Sequence, residues 1–295
     1  MKLSKTFRDN FEGYLLTSPA LVLYILFVLT PLIFGFYVTL HDWDGFTTMK
    51  FVGLKNYVTL LKNPTTWTVI SHNLQYAAGT VLGKNILAIF LALLLNRKFK
   101  GVTIARTIYF IPVVMSFVAI GVLWSWLYNP TFGLINAILL NLNLISSPIL
   151  FLGEPGLALN SLIFVDIWRW TGYHMVIILA GLQTVSADLY EAADIDGANA
   201  VNKLFSITIP QITPMIITNL TISTMGAFSV FDLVHVMTKG GPYNSTHVLS
   251  TYMYTITFGS ESRFGYGSSV AYILLAIILI ISLGQSWLMK KTDNN

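Results

Sequence analysis

The sequence predicts an all-α membrane protein with six transmembrane helices, on three observations. Of its 295 residues, 55% are hydrophobic and only 10% charged, and the mean hydropathy is +0.68; a soluble domain is roughly a quarter charged. Six stretches reach the ~20 mainly apolar residues that a helix needs to cross the hydrocarbon core. Lys and Arg are shared unequally among the segments joining those stretches. The net charge of +4 and pI near 9.1 would suggest nucleic acid in a soluble protein. A membrane protein that keeps its cations on the inner side shows the same excess, so no nucleic acid is expected. The absence of cysteine excludes disulfides, thiolate chemistry and Cys-ligated metal centres.

The first span is expected at about 14–40. The residues before it are basic like a signal peptide, but the apolar run far exceeds the ~7–15 residues of a signal core, so it stays as a helix. The other spans fall at about 68–96, 104–128, 158–184, 213–237 and 268–289, and residues 1–295 read as a single membrane domain. Lys2, Lys5, Arg8, Arg97, Lys98, Lys100, Arg106, Lys203, Lys290 and Lys291 share one side. Only Lys50, Lys55, Lys62, Lys239 and Arg263 occupy the other. The positive-inside rule makes the richer side cytoplasmic and puts both termini there. Three external loops, about 41–67, 129–157 and 238–267, are too short for globular domains but together form a cap that an external protein can grip.

The longest polar interruption on the cytoplasmic side is 186–212. Ser186 suits an N-cap, and Asp188 and Glu191 suit the positive end of a helix dipole. Leu189, Ala192 and Ala193 fall on one face and Asp188, Glu191 and Asp194 on another, while Gly197 fits the left-handed position that ends a helix. A second amphipathic run, Val201, Leu204, Phe205 and Thr208, is expected to stop at Pro210 and Pro214, which admit the fifth span. The pattern reads as a docking helix for a soluble partner, and an ordinary interfacial helix satisfies it equally. A metal or acid–base role for Glu191, Asp194 and Asp196 lacks a nearby His and any cover.

Charges inside spans mark cavities or ion pairs. Asp166 and Arg169, three apart, are expected to pair, and Lys84 to meet a carboxylate on a neighbouring helix. An ion-coupled secondary transporter using Lys84, Asp166, Arg169 and Asp232 is one reading of these charges. His72, His174 and His235 suit no shared site and read as structural. The chain has no G-x-x-x-x-G-K-[ST], so it does not cradle ATP phosphates itself, and no nucleophile–base pair supports a hydrolase.

Glu191-Ala192-Ala193, three residues, Gly197, nine residues and Ile207-x-Ile209-Pro210 resemble the EAA loop of ABC importer permeases, with Ile209 where Leu is usual. Phe51-Val52-Gly53-Leu54-x-Asn56-Tyr57, then Pro112, Trp124, Gly133 and Asn136, and the run from Phe231-Asp232-Leu233 through Gly240-Gly241-Pro242 to Thr246 resemble maltose-type sugar permeases. That branch also includes glycerol-3-phosphate permeases. The chain lacks the extra N-terminal helices and large external domain of the maltose type, and so is similar to the shorter oligosaccharide and multiple-sugar permeases.

The resemblance implies a type I importer permease fold in a bacterial-type inner membrane, surrounded by lipid and paired with a second, homologous permease subunit. It also implies two cytoplasmic ATPase subunits that bind ATP and magnesium, an external sugar-binding protein, and no catalysis or cofactor in this chain. Asp188, Glu191, Ala192, Ala193, Asp196 and Gly197 are then the residues coupled to the ATPase. Trp170, Tyr173, Asn219, Ser223 and Ser229 are the candidates for a mid-membrane sugar site. Transport of glycerol-3-phosphate or a related polyol phosphate remains the alternative.

Overall fold

The computed structural model describes residues 5–97, 99–260 and 262–293, with side chains described over 14–97, 99–260 and 262–287. Lys2 and Lys98 therefore lie outside the described residues, as do the side chains of Lys5, Arg8, Lys290 and Lys291. The chain forms two compact units, residues 1–63 with 253–272, and residues 64–252 with 273–295.

In the first unit, helix α1 (Lys5–Tyr24) passes through a π-turn (Ile25–Leu29) into α2 (Thr30–Thr39). The turn accommodates Pro31, which has no N–H to donate. Both the backbone N–H and the hydroxyl of Thr30 reach back to the carbonyl of Ile25, the latter at 2.9 Å. A two-residue antiparallel pair follows, β1 (His41–Asp42) with β2 (Lys50–Phe51). Its turn is held by the Asp44 carboxylate, which accepts from the N–H groups of Phe46 (2.9 Å) and Thr47 (2.8 Å) and from the Thr47 hydroxyl (2.8 Å). Those bonds, the Thr47 N–H foremost, hold the pKa of the Asp44 carboxyl down at about 2. Asn56, on α3 (Lys55–Lys62), donates to the carbonyls of Thr39 (2.8 Å) and His41 (2.9 Å), which satisfies the backbone where α2 ends.

The second unit is built on α4 (Pro64–Leu95). After it come α5 (Val102–Val114), α6 (Phe117–Leu127), α7 (Leu134–Asn141) and α8 (Pro155–Leu182). Next are α9 (Ala187–Ile195), α10 (Ala200–Lys203), a second π-turn (Leu204–Thr208), α11 (Ile209–Phe228) and α12 (Asp232–Met237). Finally α13 (Leu249–Phe258) and α14 (Phe264–Asp293) each contribute residues to both units. Helices α4 and α8 lie along one another. Gly79 and Gly83 receive the side chains of Ile163 and Ile167, as expected where lipid offers no hydrophobic drive and close packing holds helices together. Cores form around Ile120, Leu162, Val165 and Val234 at one end of this unit, and around Ala88, Ala92, Met175, Ile178 and Ile212 at the other.

Five helical stretches among the described residues are long and apolar enough to cross a membrane, and a bent pair makes the sixth. Two spans differ from expectation. The 104–128 stretch is the bent pair: α5 and α6 meet at 101° across Met115 and Ser116, where the backbone turns extended. The fifth span starts earlier and ends earlier than 213–237, because Pro210 and Pro214 do not stop the helix. It is continuous from Ala200 to Phe228, and Asp232–Met237 is a separate short helix. The π-turn ends two residues before Pro210, as the first one does before Pro31, and Thr208 again bonds five residues back, to the Lys203 carbonyl at 3.2 Å.

Helix α8 comes close to the backbone of α5 at Gly172, where a β-carbon would lie 2.0 Å from the Tyr109 carbonyl oxygen. Neither backbone yields easily, so Gly172→Ala is expected to destabilise the fold by about 1–3 kcal/mol. Thermal unfolding in detergent checks this, with Gly156→Ala, a position with open space around it, as the control.

Candidate translocation cavity and coupling helix

Between α4, α8 and α11 lies a cavity of about 180 Å³. Lys84 enters it from α4, and Asp166, Trp170, Tyr173 and His174 from α8. Phe117, Ser223, Ser229, Phe231 and Asp232 close the wall. The α8 residues share one face because spacings of three and four return the chain to the same side of a helix. Trp170 and Tyr173 meet edge to face, centroids 5.8 Å apart.

Lys84 Nζ lies 2.7 Å from Asp166 Oδ2, with the two side chains only 4% and 6% exposed. This corrects the expected Asp166–Arg169 pairing. The α4–α8 contact delivers Lys84 to Asp166, while Arg169 turns to the break between α5 and α6. There its Nη2 donates to the Met115 carbonyl at 2.9 Å, and its guanidinium carbon sits 3.4 Å from the Phe117 ring centroid. The break leaves the Met115 carbonyl without a helical partner, and a buried cation supplies one. Arg169 is therefore not part of the cavity wall, whereas Lys84, Asp166 and Asp232 are.

Of the sugar-site candidates, Trp170, Tyr173, Ser223 and Ser229 line the cavity. Asn219 does not; it is fully buried beside the cavity within a chain of hydrogen bonds. The Asn219 side-chain amide donates to Asn85 Oδ1 at 2.8 Å, and Asn85 Nδ2 donates to Ser223 Oγ at 2.9 Å. Asn219 Oδ1 lies 2.8 Å from His174 Nδ1, so that nitrogen carries a proton and donates. His174 is thus satisfied within the fold, as expected of a structural histidine, and also lines the cavity. The available signal was its place beside Tyr173, four residues after Trp170 and eight after Asp166. Asn85 gave no comparable signal.

At the end of this unit where α8 ends and α11 begins, the 186–197 segment folds as its local signals require. Ser186 accepts from the Asp188 N–H at 3.2 Å. Gly197 takes φ +74°, and the N–H groups of Gly197 and Ala198 return to the carbonyls of Asp194 (3.1 Å) and Ala193 (2.9 Å), closing α9 with a Schellman motif. The expected apolar face is divided: Ala193 is buried inward, whereas Ala192 is exposed together with Asp188, Glu191, Asp196 and Gly197. An Asp194–Lys203 ion pair and a 2.9 Å bond between the hydroxyls of Tyr190 and Thr208 hold α9 against the helix that follows.

Membrane-crossing helices around a polar, aromatic-walled cavity, with a capped acidic helix exposed at one end, define a membrane transport component. The chain belongs to the family of binding-protein-dependent transport system inner membrane components, whose family model matches residues 84–293. It is similar to the probable ABC transporter permease protein YurN of Bacillus subtilis, 35% identical over 94% of this chain and 95% of that one. It is also similar to the lactose transport system permease protein LacF of Rhizobium radiobacter, 33% identical over 95% of this chain and 94% of that one. A chain from the crystal structure of a bacterial ABC transporter that imports the acidic polysaccharide alginate superposes with a TM-score of 0.84. It is 23% identical and covers 97% of this chain and 98% of its own. The fold is that of a type I ABC importer permease.

Removing one partner of a buried ion pair strands the other charge, at a cost of about 3–5 kcal/mol. Lys84→Met is therefore expected to lower yield and thermal stability sharply, and Lys84→Met combined with Asp166→Leu to regain most of the loss. Fluorescence-detected size exclusion after heating measures both.

Proposed function

We propose that this chain is one of two permease subunits of an ATP-driven, binding-protein-dependent sugar importer. The observation that carries this reading is the cavity wall. Trp170 and Tyr173 offer rings on which the C–H faces of a sugar stack, and Ser229 and His174 offer hydrogen-bonding groups for its hydroxyls. The lactose permease relative supports a saccharide, and the alginate importer indicates that the fold is compatible with acidic saccharides too.

In this reading the ATPase subunits grip α9 from the cytoplasm through the exposed Asp188, Glu191, Ala192, Asp196 and Gly197. Ala193 acts from beneath, seating α9 on its own subunit. When ATP closes the ATPases, α9 moves with them, the cavity turns from the cytoplasm to the outside, and the loaded external protein releases its sugar into it. Purification with the co-produced second permease and ATPase, followed by ATPase assays with binding protein and a panel of sugars, tests the reading. Failure of any ATPase to copurify overturns it.

Gly197→Asp puts a β-carbon on a left-handed backbone and a charge on the exposed end of α9. It is expected to abolish sugar-stimulated ATPase activity and transport while membrane insertion, measured by immunoblot of the membrane fraction, stays intact.

A further inference from the structure

The charges around the cavity are not equally available to a ligand. Lys84 is the one lysine in the wall, and its ammonium is held by Asp166 at 2.7 Å. Arg169 is near enough for its charge to be felt at Asp232, but its guanidinium is covered by the Phe117 ring and bound to the Met115 carbonyl. Asp232, by contrast, is exposed in the wall, and its carboxylate has no hydrogen bond or ion pair among the described residues. His174 adds a second acceptor. With Nδ1–H committed to Asn219, Nε2 is the ring nitrogen left to meet a ligand, and in the neutral ring it accepts. Ser223 is already engaged on both sides, accepting from Asn85 and donating to the Leu220 carbonyl at 3.0 Å.

We propose that this wall selects saccharides that donate hydrogen bonds, neutral or ammonium-bearing, and rejects those carrying carboxylate or phosphate, with Asp232 as the residue that discriminates. Hydroxyls and ammonium groups satisfy Asp232 and His174. A carboxylate or phosphate offers only acceptors to them and finds each cation already bound. The proposal rests on the sugar reading above and opposes the polyol-phosphate alternative.

The test is saturation-transfer NMR on the complete membrane complex without the soluble binding protein, whose own selectivity would mask the effect. The probes are methyl glucoside, glucosamine and glucuronate, which share a pyranose ring and differ in charge. Glucosamine is expected to bind about tenfold more tightly than glucuronate, with methyl glucoside between them, as a like charge a few ångströms away in a partly wet cavity costs at least that much. In Asp232→Asn the glucosamine-to-glucuronate ratio is expected to fall to about twofold or less, a change in charge ranking that a general loss of packing does not produce. Glucuronate binding as tightly as glucosamine, or a ratio unchanged in Asp232→Asn, overturns the proposal and leaves the sugar reading standing. Binding of none of the three overturns the sugar reading and the proposal with it.

Discussion

The Lys84–Asp166 ion pair is the contact on which the second unit depends. In hydrocarbon a lone charge has no water to turn to, so each of these two residues requires the other. Because one stands on α4 and the other on α8, the requirement fixes the register of the two helices that form the spine of the unit. Small residues complete the contact: Gly79 and Gly83 admit Ile163 and Ile167 only when the helices are in that register. The cavity takes its polar wall from the same geometry, since the α8 face that carries Asp166 also carries Trp170, Tyr173 and His174.

Backbone groups obey the same demand and explain the irregular elements. Inside a membrane every carbonyl left open by a break must be satisfied from within the protein. Thr30 serves the first π-turn and Thr208 the second, each reaching five residues back, so two prolines are absorbed without a break in the helix. At the sharp corner between α5 and α6 the Ser116 side chain makes no capping hydrogen bond, and Arg169 takes the Met115 carbonyl. Asn136 of α7 imitates a strand partner for the loop that follows, bonding both ways with Ile149 at 3.0 and 2.8 Å. Asn56 and Asn136, two members of the family-like motifs, are thus structural fasteners.

What was legible in the sequence follows from the range over which its rules act. The cap at Ser186 and the stop at Gly197 depend on neighbours within one helical turn, and both stand where local chemistry placed them. The apolar spans were legible because hydropathy sums over a window. Pro210 misled because proline's rule assumes an α-helical bond to lose, and a π-turn has already shifted that bond. Arg169 misled because its partner exists only once α5 has broken, a tertiary event with no local signature. His174 and Asn85 needed α4, α8 and α11 assembled before their hydrogen bonds could be seen, and single-helix periodicity contains only part of that information.

The corrected course of the fifth span changes how force can travel. A helix stopped at Pro210 would place a joint between α9–α10 and the cavity. The continuous helix from Ala200 to Phe228 is instead a lever with one end tied to α9 through Asp194–Lys203 and Tyr190–Thr208, and with Ser223 in the cavity wall near the other. The break comes after Phe228, at the short link that carries Ser229, Val230 and Phe231 into α12. No break therefore separates the contacts with α9 from Ser223, and the first break comes beyond Phe228. The joint thus lies in the cavity wall, where Ser229 and Asp232 flank it.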